Sequence, residues 1–302
     1  MIRKAIYKKL QSLKVALTKK SRLAKLNQMS ENGFPPHMVS AVRFLINGQL
    51  DAEAKKVATF AEQRRQHIAA QGDTPVEIWY SPKPGSVIDP ESRPLPGKVL
   101  NYTMGKVAFT GKNRKWATAL HLISREFQST SGIELGTCVG ISAIYLARHA
   151  KMQQFITVEG SASLAAIARQ SLQDLPQVHV INQLFDEAID TQIVQSGTLL
   201  DLAYIDGHHE KIATIHYFER LRPFLKAGAV VLFDDISWSA DMREAWDLIK
   251  VSAAFSHAID LGAVGVCILK TTTEQPDTIP HYWNLQPLVG KFPIGQPHGW
   301  KD

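Results

Sequence analysis

The sequence has few of the features that define disulfide-bonded or membrane-spanning proteins. Its 302 residues include only two cysteines, Cys138 and Cys267, which cannot form a disulfide framework or a CxxC pair. The longest apolar runs, such as AVVLF at 229–233, are far too short to cross a bilayer. The chain is 45% hydrophobic and 21% charged, as globular proteins usually are. We therefore expect a soluble cytoplasmic protein with reduced thiols.

Acidic residues are absent from the first 30 positions, which carry nine Lys and Arg residues. The formal net charge is +6, but beyond this arm the chain has 25 basic and 28 acidic residues. The arm also repeats apolar residues at helical spacing, which predicts an amphipathic helix: Ile2, Ile6, Leu10, Leu13 and Leu17. Packing on the body or on a partner subunit is favoured over contact with nucleic acid or an anionic membrane. The arm has no continuous apolar segment, so we do not read it as a secretory signal peptide.

The chain divides by composition into three predicted parts. Residues 1–105 form a helical N-terminal extension that ends in a linker or lid, where 81–105 contain five prolines and little periodicity. Residues 106–270 form the main domain. Residues 271–302 form an aromatic, proline-rich tail that covers the edge of a sheet or a neighbouring subunit.

Short apolar segments alternate with helical ones from about residue 114 onward. The predicted strands are 132–136, 154–160, 178–182, 199–207 and 229–236, followed by two more around Gly262 and Ala263. Alternation of this kind predicts an α/β fold with a doubly wound, mostly parallel sheet. The last two strands are too close for a connecting helix, so they must be antiparallel. We therefore expect seven strands with one reversed strand at the edge.

Two strand ends carry residues suited to a nucleoside. Ligands of doubly wound sheets bind at the carboxyl ends of the strands. The first predicted strand ends in ELGTCVG, whose glycines Gly136 and Gly140 allow a tight turn, although their spacing is not that of dinucleotide sites. The second ends in Glu159, which can accept hydrogen bonds from both hydroxyls of a ribose. Together they favour a nucleoside ligand without an essential pyrophosphate.

Four motifs in this order and spacing resemble those of class I S-adenosylmethionine (SAM) dependent methyltransferases. They are IELGTCVGISAIYLA, ITVEGS, DLAYIDGHH and AVVLFDDISW. The chain is most similar to the cation-dependent O-methyltransferases of the catechol and caffeoyl-CoA type and to bacterial enzymes that methylate antibiotic sugars. The resemblance covers about residues 110–270 and implies a Rossmann-like fold.

The resemblance implies a SAM site at the ends of the first three strands. The glycine-rich loop passes under the methionine part of SAM, and the acid that ends the second strand holds its ribose. The cofactor-binding residues implied are Glu134, Gly136, Gly140, Ser142, Glu159, Phe185 and Asp206. Phe185 borders or stacks on the adenine, although an aromatic residue there also suits the core. A glycine that the family often has near the adenine is replaced here, by Gln183.

Three carboxylates are expected to converge beside the methyl donor. Asp206 ends the fourth strand, and Asp234 and Asp235 end the fifth, which is its neighbour. Like charges this close repel unless a cation neutralises them, and hard oxygen ligands suit Mg²⁺. Catechol-type enzymes have Asp, Asp and Asn here, whereas the antibiotic-sugar enzymes share the third aspartate. The alternative is that Asp234 or Asp235 caps the following helix.

His209 occupies the position where catechol-type enzymes carry a catalytic lysine. A neutral imidazole can take a proton from a hydroxyl made acidic by a metal, so we assign His209 and Asp206 as catalytic. His208 is the less favoured base, and either histidine could instead cap the next helix. Upstream, Lys112, Arg114 and Lys115 could hold an anionic substrate, but a solvated charge run is the favoured interpretation.

The sequence thus predicts a SAM-dependent methyltransferase that methylates a hydroxyl of a small molecule or sugar with help from a divalent cation. A homodimer is left open. Three alternatives remain: a macromolecule or RNA methyltransferase that uses the basic arm, a metal-dependent oxygenase, and a non-catalytic SAM-binding protein. Against RNA, the chain lacks the N/D-P-P-Y/F signature of base N-methylation, and its body carries a net charge of −3.

Overall fold

The computed structural model describes residues 18–80, 98–271, 273, 275, 278–290 and 292–295. The predicted amphipathic positions 2–17 and most of the proline-rich linker, 81–97, lie outside these residues. Within them, no helix is long and apolar enough to span a membrane.

The described part of the chain begins with three helices and a hairpin. The helices are α1 (18–31), α2 (Pro36–Asn47) and α3 (Ala52–Ala69), and the hairpin pairs β1 (Pro75–Tyr80) with β2 (Lys98–Thr103) in antiparallel fashion. Asp51 starts α3 because its side chain accepts a hydrogen bond from the Ala54 N–H (2.8 Å). The helical prediction is confirmed. The prediction of a linker through residue 105 is wrong at its end, since the proline-free KVLNYT forms β2.

An eight-stranded sheet forms the centre of the molecule. Its spatial order is β10-β8-β9-β7-β6-β3-β4-β5, and β9 is antiparallel to both of its neighbours. The strands are β3 (Ser131–Leu135), β4 (Gln154–Val158), β5 (Val178–Ile181), β6 (Leu200–Ile205), β7 (Leu225–Asp234), β8 (Phe255–Asp260), β9 (Val264–Leu269) and β10 (His281–Asn284).

The doubly wound, mostly parallel fold class is confirmed, with two differences in detail. The sheet has one more strand than the expected seven, because β10 from the tail pairs with β8. The reversed strand β9 lies between β7 and β8 rather than at the edge. A tight turn at Gly262 makes β8 and β9 antiparallel, but it does not decide which of the two pairs with β7.

Helices connect the strands and cover both faces of the sheet. They are α4 (Met104–Val107), α5 (Arg114–Glu126), α6 (Ile141–Ala147), α7 (Ala162–Leu172), α8 (Phe185–Ala188), α9 (Lys211–Leu221), α10 (Ala240–Ile249) and α11 (Gln286–Val289), and a π-helical turn, Ile189–Val194, follows α8. The N-terminal helices belong to the same core as α5 and α6. Leu26, Met38 and Ala61 are fully buried in one apolar cluster with Leu120 and Ile144. The described N-terminal helices are therefore packed against α5 and α6.

Candidate active site at the carboxyl edge of the sheet

The ends of β3 and β6 meet so closely that only a glycine can occupy position 136. A Cβ on Gly136 would lie 1.9 Å from the carbonyl oxygen of Asp206, and the φ of Gly136 is +113°. The N–H of Asp206 donates to the Leu135 carbonyl (2.9 Å) and keeps the two strand ends together. Gly140 follows in the same loop and is the N-cap residue of α6. The strand order changes direction at β3, which is where doubly wound sheets bind ligands.

Glu134 presents a buried acceptor at the end of β3. Its side chain is fully buried, and its Oε2 accepts a hydrogen bond from the Thr157 hydroxyl (2.5 Å). Its Oε1 is buried and has no hydrogen-bond partner among the described residues. Burial raises the pKa of Glu134 to about 8, although the hydroxyls of Ser142 and Thr157 oppose the shift. An unpaired acceptor of this kind suits a ligand amino group.

Glu159, just beyond β4, closes the glycine loop from the other side. Its Oε2 accepts from the N–H of Cys138 (2.8 Å), and its Oε1 accepts from the N–H of Ser161 (2.9 Å). Desolvation raises the pKa of Glu159 to about 7, against the effect of these backbone donors. A carboxylate oxygen can accept more than one hydrogen bond, so both oxygens can still accept from ligand hydroxyls.

Phe185 lies at the same edge, but its described contacts are with protein side chains. Its ring packs edge-on against Tyr217 and His208, with ring centroids 5.3 and 6.1 Å away. A Cβ on Gly207 would lie 2.4 Å from this ring. His208 faces the same group, since its Nδ1 is 2.7 Å from the Tyr217 hydroxyl. Contact of Phe185 with adenine stays a prediction, and His208 has a structural partner.

The three predicted carboxylates converge as the sequence indicates. Asp206 and Asp234 are in contact at the ends of neighbouring strands, and Asp235 follows directly. Neither Asp234 nor Asp235 caps the following helix, because Ser239 is the N-cap residue of α10 and accepts from the Met242 N–H (3.1 Å). Asp235 has a left-handed backbone, with φ of 49°.

The cation among these carboxylates is the ammonium group of Lys112. Its Nζ lies 2.8 Å from Asp234 Oδ2 and forms a second ion pair with Asp235 Oδ1. Lys112 is only 5% exposed, so its assignment to a solvated charge run is wrong. The loop before α5 places this residue over the end of β7, which spacing along the chain does not reveal.

A divalent ion does not fit the carboxylates as they are arranged. The Lys112 ammonium is within hydrogen-bonding distance of both Asp234 and Asp235, where a dication would need to be. In the part of the chain that the structure describes, no group of three or more His, Cys, Asp or Glu side chains could hold a metal ion. The carboxylates of Asp206, Asp234 and Asp235 therefore converge as expected, but the cation among them is the side chain of Lys112.

The cluster brings three buried carboxyl groups, those of Asp206, Asp234 and Asp235, together with one ammonium group, that of Lys112. Burial raises the pKa of Asp206 to about 6, although the Lys112 charge opposes the shift. Burial and the adjacent Asp206 raise the pKa of Asp234 further. Burial alone would lower the pKa of Lys112, but the carboxylates of Asp234, Asp235 and Asp206 hold it above its ordinary value. Lys112 is therefore a permanent cation.

His209 is the partly exposed imidazole nearest to this cluster. Its Nε2 lies 3.8 Å from Asp206 Oδ1, and its side chain is 30% exposed. The ring stacks on Trp238, with centroids 5.6 Å apart. α9 begins at Lys211 after Glu210, so His209 is not its cap. At 3.8 Å the His209 and Asp206 side chains are close enough for an ion pair when the imidazole is protonated, but they are not hydrogen-bonded.

Two residues that build this edge were not predicted from the sequence. Trp238, in the turn after β7, stacks on His209. Arg65 of α3 is buried and donates to the backbone carbonyls of Ala108 (2.9 Å) and Lys112 (2.7 Å). A tryptophan four residues after a strand gives a weak signal at most, and an arginine among the charges of α3 gives none.

Comparison with known proteins agrees with the position of this site. Residues 133–236, which run from β3 to just past β7, match the family model described as a methyltransferase domain. A curated relative, catechol O-methyltransferase of Mycobacterium tuberculosis, is 32% identical over 119 residues, or 39% of this chain. The chain spans about half of that relative's length (53%).

Several solved structures are similar at low sequence identity. A putative O-methyltransferase from Klebsiella pneumoniae is 17% identical with a TM-score of 0.47, and the match covers 74% of this chain and 92% of that one. An O-methyltransferase from Bacillus cereus in complex with SAH is 18% identical with a TM-score of 0.46, over the same shares of the two chains. The strand-end site lies within residues 133–236, the part of this chain that is similar to a methyltransferase domain.

Proposed function

We propose that this chain transfers the methyl group of SAM to a hydroxyl oxygen of a small molecule or sugar. The observation that carries the proposal is the juxtaposition at one sheet edge of two acids predicted to bind SAM, Glu134 and Glu159, with the His209–Asp206 pair. The name of the curated relative, a catechol O-methyltransferase, supports a hydroxyl acceptor.

In this proposal Glu134 and Glu159 bind SAM, whereas His209 and Asp206 serve in proton transfer. When bound, SAM supplies an electrophilic methyl group on a sulfonium centre. The free Oε1 of Glu134 accepts from the amino group of SAM, and Glu159 accepts from its ribose hydroxyls. His209 takes the proton of the acceptor hydroxyl, and Asp206 stabilises the imidazolium that results. Holding the two reactants in line provides much of the acceleration in such a transfer.

The metal-assisted form of this reaction, which the resemblance implies, is not part of the proposal. Lys112 lies between the carboxylates that would bind the ion. Those carboxylates are instead paired with a charge that belongs to the chain itself.

The SAM site is tested by Glu159→Ala, with Glu219→Ala as the control. We expect the first change to weaken SAM binding by about 1.5–3 kcal/mol, because it removes hydrogen bonds to a charged group. Glu219 is half exposed on α9 and pairs with Arg222, so its loss should leave affinity unchanged. Calorimetry should be run at pH 8, since the Glu159 carboxyl, with a pKa of about 7, is then mostly ionised. Equal affinities in the two folded variants would rule out the ribose role.

The transfer step is tested by His209→Gln, with His208→Gln as the matched control. We expect His209→Gln to lower the rate of SAH release by about 10²–10⁴-fold at unchanged SAM affinity, the usual range for loss of a general base. His208 bonds Tyr217 instead, so its replacement should cost far less. SAH release should be screened against a panel of catechols, phenols and glycosides. Near-normal turnover by His209→Gln would remove His209 from the mechanism.

A further inference from the structure

Lys112 is held in the carboxylate cluster by the N-terminal part of the fold. Arg65 of α3 donates to the backbone carbonyl of Lys112 (2.7 Å) and, four residues earlier, to that of Ala108 (2.9 Å). Arg65 is itself buried and is paired with Glu62 (3.0 Å). The backbone of Lys112 is thereby fixed from one side and its ammonium from the other. A side chain held at both ends occupies one position, unlike a surface lysine.

The surroundings of the Lys112 ammonium are those of a cation site. It pairs with Asp234 and Asp235, and the charge of Asp206 also acts on it. Desolvated carboxylates need a compensating charge, and removal of a buried partner leaves an uncompensated one. An ammonium group has three N–H donors, so one remains after the two ion pairs.

We propose that Lys112 takes the place of a divalent cation, so that this methyltransferase domain works with a built-in charge and does not bind Mg²⁺ or Mn²⁺ at Asp206, Asp234 and Asp235. The inference deepens the proposed function and rests on it for its catalytic meaning. In that setting the ammonium holds the carboxylates together, and its third N–H stabilises negative charge on the acceptor oxygen. Lys112 remains protonated throughout, and the proton of the acceptor goes to His209.

The first test needs neither a methyl acceptor nor turnover. Mn²⁺ binding to the full chain is measured by calorimetry and by its electron paramagnetic resonance signal, for the wild type and for Asp234→Asn. We expect the two proteins to bind Mn²⁺ equally weakly, because Lys112 blocks the site. Stoichiometric Mn²⁺ binding that is lost in Asp234→Asn would overturn the proposal. This comparison uses the wild-type lysine, so it stands even if changes at Lys112 prevent folding.

The second test removes the Lys112 ammonium group from the carboxylate cluster. In Lys112→Ala, three carboxylates lose their cation and gain space, so the affinity for Mn²⁺ should rise by about tenfold or more over the wild type. Lys112→Met removes the charge but fills the space, and its gain should be smaller. The double variant with Asp234→Asn should lose the gain, which places the ion at this cluster. Unchanged Mn²⁺ affinity in a folded Lys112→Ala variant would contradict the inference.

The catalytic part is tested with chelator. Methyl transfer by the wild type should be the same in EDTA and in millimolar Mg²⁺, whereas residual transfer by Lys112→Ala should rise when Mg²⁺ is added. Loss of wild-type transfer in EDTA would contradict the built-in charge while leaving the methyl-transfer function in place. If no acceptor is methylated, the proposed function fails, and the Mn²⁺ comparisons still decide whether Lys112 occupies the cation site.

Discussion

Gly136→Ala is expected to abolish SAM binding and to lower the free energy of unfolding by about 4 kcal/mol or more, the range of exceptional single changes. The added Cβ would lie 1.9 Å from the carbonyl oxygen and 2.8 Å from the carbonyl carbon of Asp206. These are backbone atoms of the neighbouring strand, so no side-chain rotation relieves the clash. β3 and β6 must separate, which breaks the hydrogen bond from the Asp206 N–H to the Leu135 carbonyl and displaces Asp206.

Gly197→Ala is the control for this change. Gly197 also has a positive φ, +64°, but nothing lies within 4 Å of the Cβ it would gain. Its replacement should cost only about 1 kcal/mol, the penalty for a left-handed alanine. Both variants should be unfolded in urea, and SAM binding should be measured by calorimetry for any variant that folds. The comparison separates the cost of the clash between β3 and β6 from the cost of a positive φ at alanine. Equal losses would show that β3 and β6 can separate at little cost.

Arg65→Met is expected to lower the free energy of unfolding by about 3–5 kcal/mol. The buried guanidinium donates to two buried carbonyls, those of Ala108 and Lys112, and pairs with Glu62. Methionine fills most of the volume but leaves these acceptors without partners. The loop that carries Lys112 should also loosen, so methyl transfer should fall by more than SAM affinity does.

The adjacent residue supplies the control. Arg64 pairs with Asp174, whose side chain is 53% exposed. Arg64→Met should therefore cost only about 0–1 kcal/mol, as is usual for a surface ion pair. Melting temperatures at one scan rate and urea midpoints compare the stability of the Arg64→Met and Arg65→Met variants. If the two variants melt alike, the hydrogen bonds from Arg65 to the carbonyls of Ala108 and Lys112 contribute nothing to stability.

Much of the sheet could be predicted from the sequence because its strands are buried on both faces. Short, mostly apolar segments such as QFITV and LDLAYI stand out, and β4 and β6 begin within one residue of the predicted strands. The glycines and acids at the strand ends were also placed at the right edge, because parallel strands bring their carboxyl ends together.

The hairpin, the position of β9 and the role of Lys112 could not be predicted in this way. β2 follows a proline-rich segment and pairs with a strand 18 or more residues earlier, so local signals favour a linker. The partner of β7 depends on how the β8–β9 hairpin docks. The burial of Lys112 depends on Arg65, 47 residues away, and the run TGKNRKW has the composition of a solvated loop. Each of these features is decided by tertiary contacts between distant segments.

The order of the last strands has a consequence for how the protein is synthesised. β8 leaves the ribosome before its described neighbours, β9 and β10, and the outer edge of β7 stays unpaired until β9 has emerged at residue 269. An open edge on a long apolar strand is a template for pairing with other chains. The nascent chain therefore passes through a stage in which most of the sheet is complete but one edge is exposed. This exposure ends when the hairpin of β8 and β9 docks as a unit on β7. Chains released before residue 269 would keep the edge of β7 unpaired and open to pairing with other chains.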